Sequence, residues 1–329
     1  MKLIGIIKKA WFRSKIITIG AGIVLILLVL FICYSCSAIS GQKNKTPADR
    51  AQVQGSADPD GHTASGSPQD LAGAIARLSQ AYPAENAETD PDREAFVEDF
   101  WRWIFGEAGI PERLARKVAA SALEGPSFIM ELLMVLQQDP YTYFLVDKQH
   151  SLPLDYEPDD LVPLAVGAYQ VSRDGLMLRR AAEEALREMA AAAAAEGVIL
   201  KAGSTYRSAA YQAQVYEREV NNYGREAADR QSARPGTSQH QLGLVVDFTP
   251  IDDTFAKTPA SQWLLGNAGR FGFSLSFPDG YEEATGYRWE SWHYRYVGRD
   301  LAAFINTHFD GIQQYALQFI HAWQEQPES

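Results

Sequence analysis

The stretch SQHQLGLVVDF, residues 238–248, sets a histidine and an aspartate seven positions apart, with a glycine between them and an apolar run leading into the acid. Gly243 permits a tight turn or a close backbone approach. LVVDF then has the β-branched character of a central strand, which places Asp247 at its far end and His240 in the preceding loop. A strand that reads as core yet ends on a carboxylate calls for a partner that compensates the charge.

The partner segment is ESWHYRYVG, residues 290–298, with Glu290 and His293 three positions apart in an aromatic strand. Alternation puts His293, Arg295 and Val297 on one face and Trp292, Tyr294 and Tyr296 on the other. His240, Asp247 and His293 make a His2Asp set, the number and type of protein ligands that a catalytic zinc uses when its fourth position is left to water. Such an ion lowers the pKa of its water to about 7 and polarises a carbonyl. Glu290, displaced from the alternation by a bend or bulge, is the candidate base. Arg207 in STYRSAAYQ, at the end of a predicted strand, is the candidate cation for an oxyanion or a substrate carboxylate.

Around this nucleus the texture is α+β. LRRAAEEALREMAAAAAAEG is the strongest helix, supported by Glu183 with Arg187 and stopped at Gly197, and its alanine run predicts close packing. VILKAGSTYRS, LGLVVDF, FSLSF and ESWHYRYVG supply strands, and YTYF opens with a further short one before a proline-rich wrap. Residues 301–329 read as an amphipathic helical segment. Residues 90–138 read as a separate helical region, where Phe96, Phe100, Trp103 and Ile104 recur at helical spacing and are expected to pack helices together.

At the N-terminus, Lys2, Lys8, Lys9, Arg13 and Lys15 precede an uncharged apolar stretch over residues 16–33, which approaches the ~30 Å hydrocarbon thickness of a bilayer. Residues 1–36 are therefore expected to be a cytosolic stub and signal anchor, with everything beyond sent across the membrane. A lipidated Cys36 and a cleaved signal are the alternatives; the apolar region is longer than a usual signal core and no A-x-A site follows. Residues 37–89, rich in Ser, Ala, Gly, Asp and Pro, read as a flexible linker. Cys33 and Cys36 are the only cysteines, which excludes a disulfide or a thiol nucleophile from the exported part. Residues 1–45 hold seven of the 30 basic residues and none of the 41 acidic ones, so the remainder sets 23 basic against 41 acidic residues, a net of −18. Such a surface repels nucleic acid.

Together, STYRSAAYQ, RPGTSQHQLGLVVDF, TGYRWESWHYRYVG and LVDKQHSLPLDYEPDDLV resemble the VanY-type zinc D-alanyl-D-alanine carboxypeptidases, over about residues 139–299. The resemblance implies the hedgehog/DD-peptidase fold, an antiparallel sheet with helices packed on one side, in a zinc carboxypeptidase domain over residues 139–300. It implies one zinc ion held by His240, Asp247 and His293, Glu290 as general base, Arg207 at the transition state or substrate, and Gln212 and Ser238 lining the substrate site. The implied substrate is the D-Ala-terminated stem peptide of peptidoglycan, with an L,D-carboxypeptidase acting on tetrapeptide stems as the alternative within the family and a non-catalytic wall-binding protein as the alternative outside it. Leu242, Val245 and Gln239 depart from the family's commonest pattern, and none of them is an expected ligand.

Overall fold

A computed structural model describes residues 91–122, 127–165, 167 and 169–325. The expected membrane span at 16–33 and the linker at 37–89 lie outside the described residues; among the described residues no helix is long and apolar enough to cross a membrane. From Arg93 onward the chain forms one compact unit.

Three helices come first: α1 (Pro91–Glu107), α2 (Glu112–Ser121) and α3 (Ser127–Leu136). Pro111 stands at the N-cap of α2, where its missing N–H costs nothing. The sequence expectation of a strand at YTYF is corrected: Asp139 accepts the Tyr141 N–H at 3.0 Å and Pro140 occupies the first turn, so the segment winds into the short helix α4 (Pro140–Tyr143). Local capping chemistry outweighs the β propensity of the aromatic residues there.

A small ribbon pairs β1 (Leu161–Pro163) with β3 (Met177–Arg179), flanking β2 (Gln170–Val171). Helix α5 (Arg180–Ala195) follows and leads to β4 (Lys201–Ser204); α6 (Ala209–Tyr223) and α7 (Arg225–Gln231) come next. The chain then makes a 3-10 turn, Gln239–Leu242, into β5 (Val245–Phe248), and continues through α8 (Pro259–Asn267), β6 (Phe273–Leu275) and α9 (Glu282–Thr285) to β7 (His293–Tyr296). Helices α10 (Arg299–His308) and α11 (Gln313–Gln324) close it.

The main sheet has the order β2-β4-β5-β7-β6. Three of its four pairings are antiparallel, but β2 runs parallel to β4, so the expected antiparallel sheet is in fact mixed at one edge. One face packs on α5. Ala182, Ala190 and Ala193 are fully buried and let the helix axis approach, while Leu186 and Met189 share one buried apolar cluster with Val246, Phe248 and Tyr294. Each of those two larger side chains contributes about 1.5–3 kcal/mol when fully buried. The other face is not bare. Arg295, fully buried, reaches the carbonyls of Tyr141, Thr142 and Phe144 at 3.0, 3.2 and 2.8 Å, so it holds the C-terminal end of α4 against the sheet. Helical structure thus meets both faces, which corrects the one-sided expectation.

The two ends of the described chain pack on each other. Phe100 and Trp103 of α1 meet Phe319 and Trp323 of α11, and Phe128 of α3 lies 5.2 Å from Phe304 of α10, centroid to centroid. Aromatic spacing in residues 90–138 therefore serves helix packing. The C-terminal segment is two helices instead of one, because Asp310 and Gly311 take left-handed φ values of 53° and 77°.

Candidate active site

The local sequence delivers His240 by a cap and a glycine. Ser238 Oγ accepts the His240 N–H at 3.3 Å and starts the 3-10 turn. Gly243 ends it at φ 69°, and a Cβ there would lie 2.9 Å from Leu161 Cδ2 and 3.0 Å from Arg179 Cγ. Both its conformation and its surroundings call for glycine. The chain then enters β5, whose Asp247 stands directly opposite His293 of β7.

These side chains converge. His240 Nε2 lies 3.1 Å from Asp247 Oδ2, and His293 Nδ1 lies 3.1 Å from Asp247 Oδ1 and 3.3 Å from Glu290 Oε2. All four residues are buried. His240 Nδ1 is 2.7 Å from the Thr205 carbonyl, an acceptor only, so Nδ1 carries the proton and Nε2 presents its lone pair inward. One ligand atom from each of His240, Asp247 and His293 falls within 4.8 Å of the others.

The donor set fits a divalent cation. Asp247 Oδ1 is buried and makes no hydrogen bond among the described residues, and a buried carboxylate without enough donors is costly unless a cation compensates it. Burial, helped by the charge of Arg207, pushes His240 down to about 4, so it is neutral and ready to ligate at pH 7. Burial opposes the charge of Asp247, yet the two histidines hold its carboxyl well below the usual carboxylate range. Burial alone would lower His293, but Asp247 and Glu290 raise it to about 9; ligation there displaces a proton.

Glu290 lies just outside β7, which starts at His293 and so is shorter than the sequence suggested. Its N–H donates to the Phe277 carbonyl at 3.0 Å and its own carbonyl accepts the His293 N–H at 3.2 Å, a turn that aims the carboxylate at the histidine cluster. Burial pushes its carboxyl pKa up, with His293 acting in the opposite sense. Arg207 is fixed by donating to Gln212 Oε1 at 2.8 Å and Ser204 Oγ at 3.0 Å, and its Nη2 is 3.9 Å from Asp247 Oδ2. Gln212 Nε2 in turn donates to the Ala233 carbonyl at 2.6 Å. Gln212 therefore braces Arg207 as well as lining the cleft, and Ser238 both caps the 3-10 turn and faces the same space.

That space is a cleft of about 660 Å³ whose wall brings together all seven residues singled out from the sequence. The sequence reading missed Thr205, whose contribution is a backbone carbonyl, and Ser204, whose only signal is its place two residues ahead of the quoted tyrosine. It also missed Arg173, which nothing in the local pattern marks. Of the other histidines, His62 lies outside the described residues. His150, His308 and His321 are each tied to one carboxylate, Asp147 at 2.8 Å, Glu131 at 2.8 Å and Glu325 at 3.3 Å respectively.

Residues 175–299 match the family model described as VanY, D-alanyl-D-alanine carboxypeptidase. The chain is similar to YodJ of Bacillus subtilis (strain 168), a carboxypeptidase by name, with 34% identity over 56% of this chain and 70% of that protein. It is also similar to a D-alanyl-D-alanine carboxypeptidase of Enterococcus faecalis (strain ATCC 700802 / V583), with 31% identity over 51% of this chain and 63% of that one. Among solved structures, that of the LdcB LD-carboxypeptidase shares 34% identity, covers 54% of this chain and 87% of its own, and superposes with a TM-score of 0.50.

Proposed function

The chain belongs to the VanY D-alanyl-D-alanine carboxypeptidase family, and from that premise we propose that it removes the terminal D-alanine from peptidoglycan stem peptides with one zinc ion held by His240, Asp247 and His293. The observation that carries the reading is the convergence of these three ligand atoms within 4.8 Å, with the Glu290 carboxylate 3.3 Å from one of them.

When bound, zinc supplies a Lewis acid and a water acidic enough to attack at neutral pH. The protein's own groups do the rest. Glu290 takes the proton of the attacking water at its carboxylate as the new C–O bond forms, then returns it to the leaving amine as the peptide C–N bond breaks, so no proton is lost. Its burial suits this work, because burial raises the carboxyl pKa and so favours holding the proton between the two steps. Arg207, held rigid by Gln212 and Ser204, offers guanidinium N–H groups to the oxygen on which charge develops. Its bracing avoids reorganisation at the moment of reaction.

The similarity to LdcB supports a second reading, an L,D-carboxypeptidase acting on tetrapeptide stems. Mass spectrometry of products from defined pentapeptide and tetrapeptide muropeptides separates the two. The basic N-terminal flank and the apolar stretch at 16–33 support anchorage in the cytoplasmic membrane, with the catalytic domain on the outer side. Protease shaving of intact cells tests that placement. The hydrolase reading itself is tested by Glu290→Gln, which is expected to lower turnover by roughly 10²–10⁴-fold while zinc per chain by elemental analysis stays unchanged. Undiminished turnover in that variant would remove Glu290 as the base.

A further inference from the structure

The wall of the cleft carries four arginines, and they are not equivalent. Arg207 is braced and lies beside Asp247. Arg288 is hydrogen-bonded to Asp253, and Arg218 lies 4.0 Å from Glu219. Arg173 is exposed, and none of the described carboxylates, the adjacent Asp174 included, forms an ion pair with it.

Its placement is built. Arg173 sits in the turn between β2 and β3, and both ends of that turn hang on the segment that delivers Arg207. Ser172 donates its N–H to the Ala202 carbonyl at 2.8 Å and its hydroxyl to the Gly203 carbonyl at 3.2 Å. On the far side, the Met177 N–H donates to Thr205 Oγ1 at 3.1 Å, and the Tyr206 N–H donates to the Met177 carbonyl at 3.0 Å. Residues 202–206 thus hold the turn by four hydrogen bonds, and one frame presents two guanidinium groups to one cleft. Asp247, 3.9 Å from Arg207, already answers that charge, whereas Arg173 has no ion-pair partner among the described carboxylates, and an anionic ligand group in the cleft supplies one. The chain is acidic, with a net charge of −11, which makes a spare cation at this wall stand against the background.

We propose that Arg173 is a specificity-determining residue that receives a carboxylate of the substrate in the outer part of the cleft, leaving Arg207 to the reacting carbonyl. The proposal rests on the hydrolase reading above. The carboxylate has two possible sources in a peptide, the free C-terminus or an acidic side chain further along the stem, and both present the same planar anion to the guanidinium fork.

The test is a coupling measurement on the zinc-loaded protein carrying Glu290→Gln, with binding read by isothermal titration calorimetry. Three peptides of equal length are compared: one with all carboxylates free, one amidated at the C-terminus, and one amidated on its acidic side chain. With Arg173→Ala and Arg173→Met, binding of the free peptide is expected to weaken roughly fivefold, the scale of a partly exposed charge pair, and the loss should shrink as salt is raised. The loss vanishes for whichever peptide lacks the carboxylate that Arg173 holds, which identifies the source, and Arg173→Lys recovers part of it. Equal weakening for all three peptides, or none for any, overturns the proposal. Kinetics with Glu290 intact provide the second readout, the effect falling on KM more than on kcat. A wild-type chain that hydrolyses no stem peptide would instead overturn the hydrolase reading on which the proposal stands.

Discussion

Val246, Phe248 and Tyr294 share two short strands with Asp247, His293 and Arg295, yet the two sets live in different chemistry. The first set packs on the alanine-rich α5 and its neighbours, where Phe248 stacks on Phe255 and meets Tyr294 edge-on. The second set faces the site and the carbonyl end of α4. The period of two along a strand allows this division, since neighbouring residues point to opposite sides. The lesson is that the apolar face supplies the rigidity with which the polar face holds its ligands, and the two should fail separately.

The sharpest break comes from His240→Ala, which leaves two ligands. Zinc per chain, read by elemental analysis, is expected to drop well below one and hydrolysis to fall to background, while the apolar core is untouched. Retention of one ion per chain would remove His240 from the ligand set. On the opposite face, Phe248→Ala is expected to cost about 3–5 kcal/mol in denaturant unfolding, yet the fraction that remains folded should still carry its metal. If metal content fell in parallel within that fraction, the two faces would not be independent.

Smaller effects sharpen the comparison. Gln212→Ala frees Arg207 without touching a metal ligand, so kcat/KM is expected to fall roughly 10- to 100-fold through misplacement, with zinc stoichiometry unchanged. Asp310, at the break between α10 and α11, takes hydrogen bonds from Lys117 and Arg113 of α2. The Lys117 hydrogen bond, with help from Arg113, lowers its carboxyl pKa. A depressed folded-state pKa means stabilisation that is present above the unfolded value near ~3.9 and is lost as pH falls through the folded value. Asp310→Asn is therefore expected to cost less than about 1 kcal/mol at pH 7, and the difference from wild type in denaturant melts should close as the pH is lowered below that range. A difference that persisted in acid would show that the cost does not come from the carboxylate's charge.

The site was legible because its ligands sit on regular elements close to distinctive neighbours. A glycine that only a tight turn needs stands three residues after His240, and a β-branched run carries the chain straight to Asp247. The α5 helix was legible for the same reason, its alanines and charge pair being local signals. YTYF was not, because aromatic residues favour strands in general and only the Asp139 cap with Pro140 turns this segment helical. The parallel placement of β2 against β4 was also hidden. Two residues carry no periodicity, and their partner is chosen across 30 intervening positions.

The linear chain by itself determined which groups are available for chemistry and how each strand divides its faces, because residue type and periodicity are local properties. It also fixed the absence of thiol chemistry beyond Cys36. Tertiary structure alone decided that the Thr205 carbonyl would orient His240, that Gln212 would be committed to Arg207, and that Arg173 would share a frame with Arg207 while lacking an acid of its own. Each of these depends on distances between segments far apart in sequence, and those distances exist only once the sheet has brought the strands together.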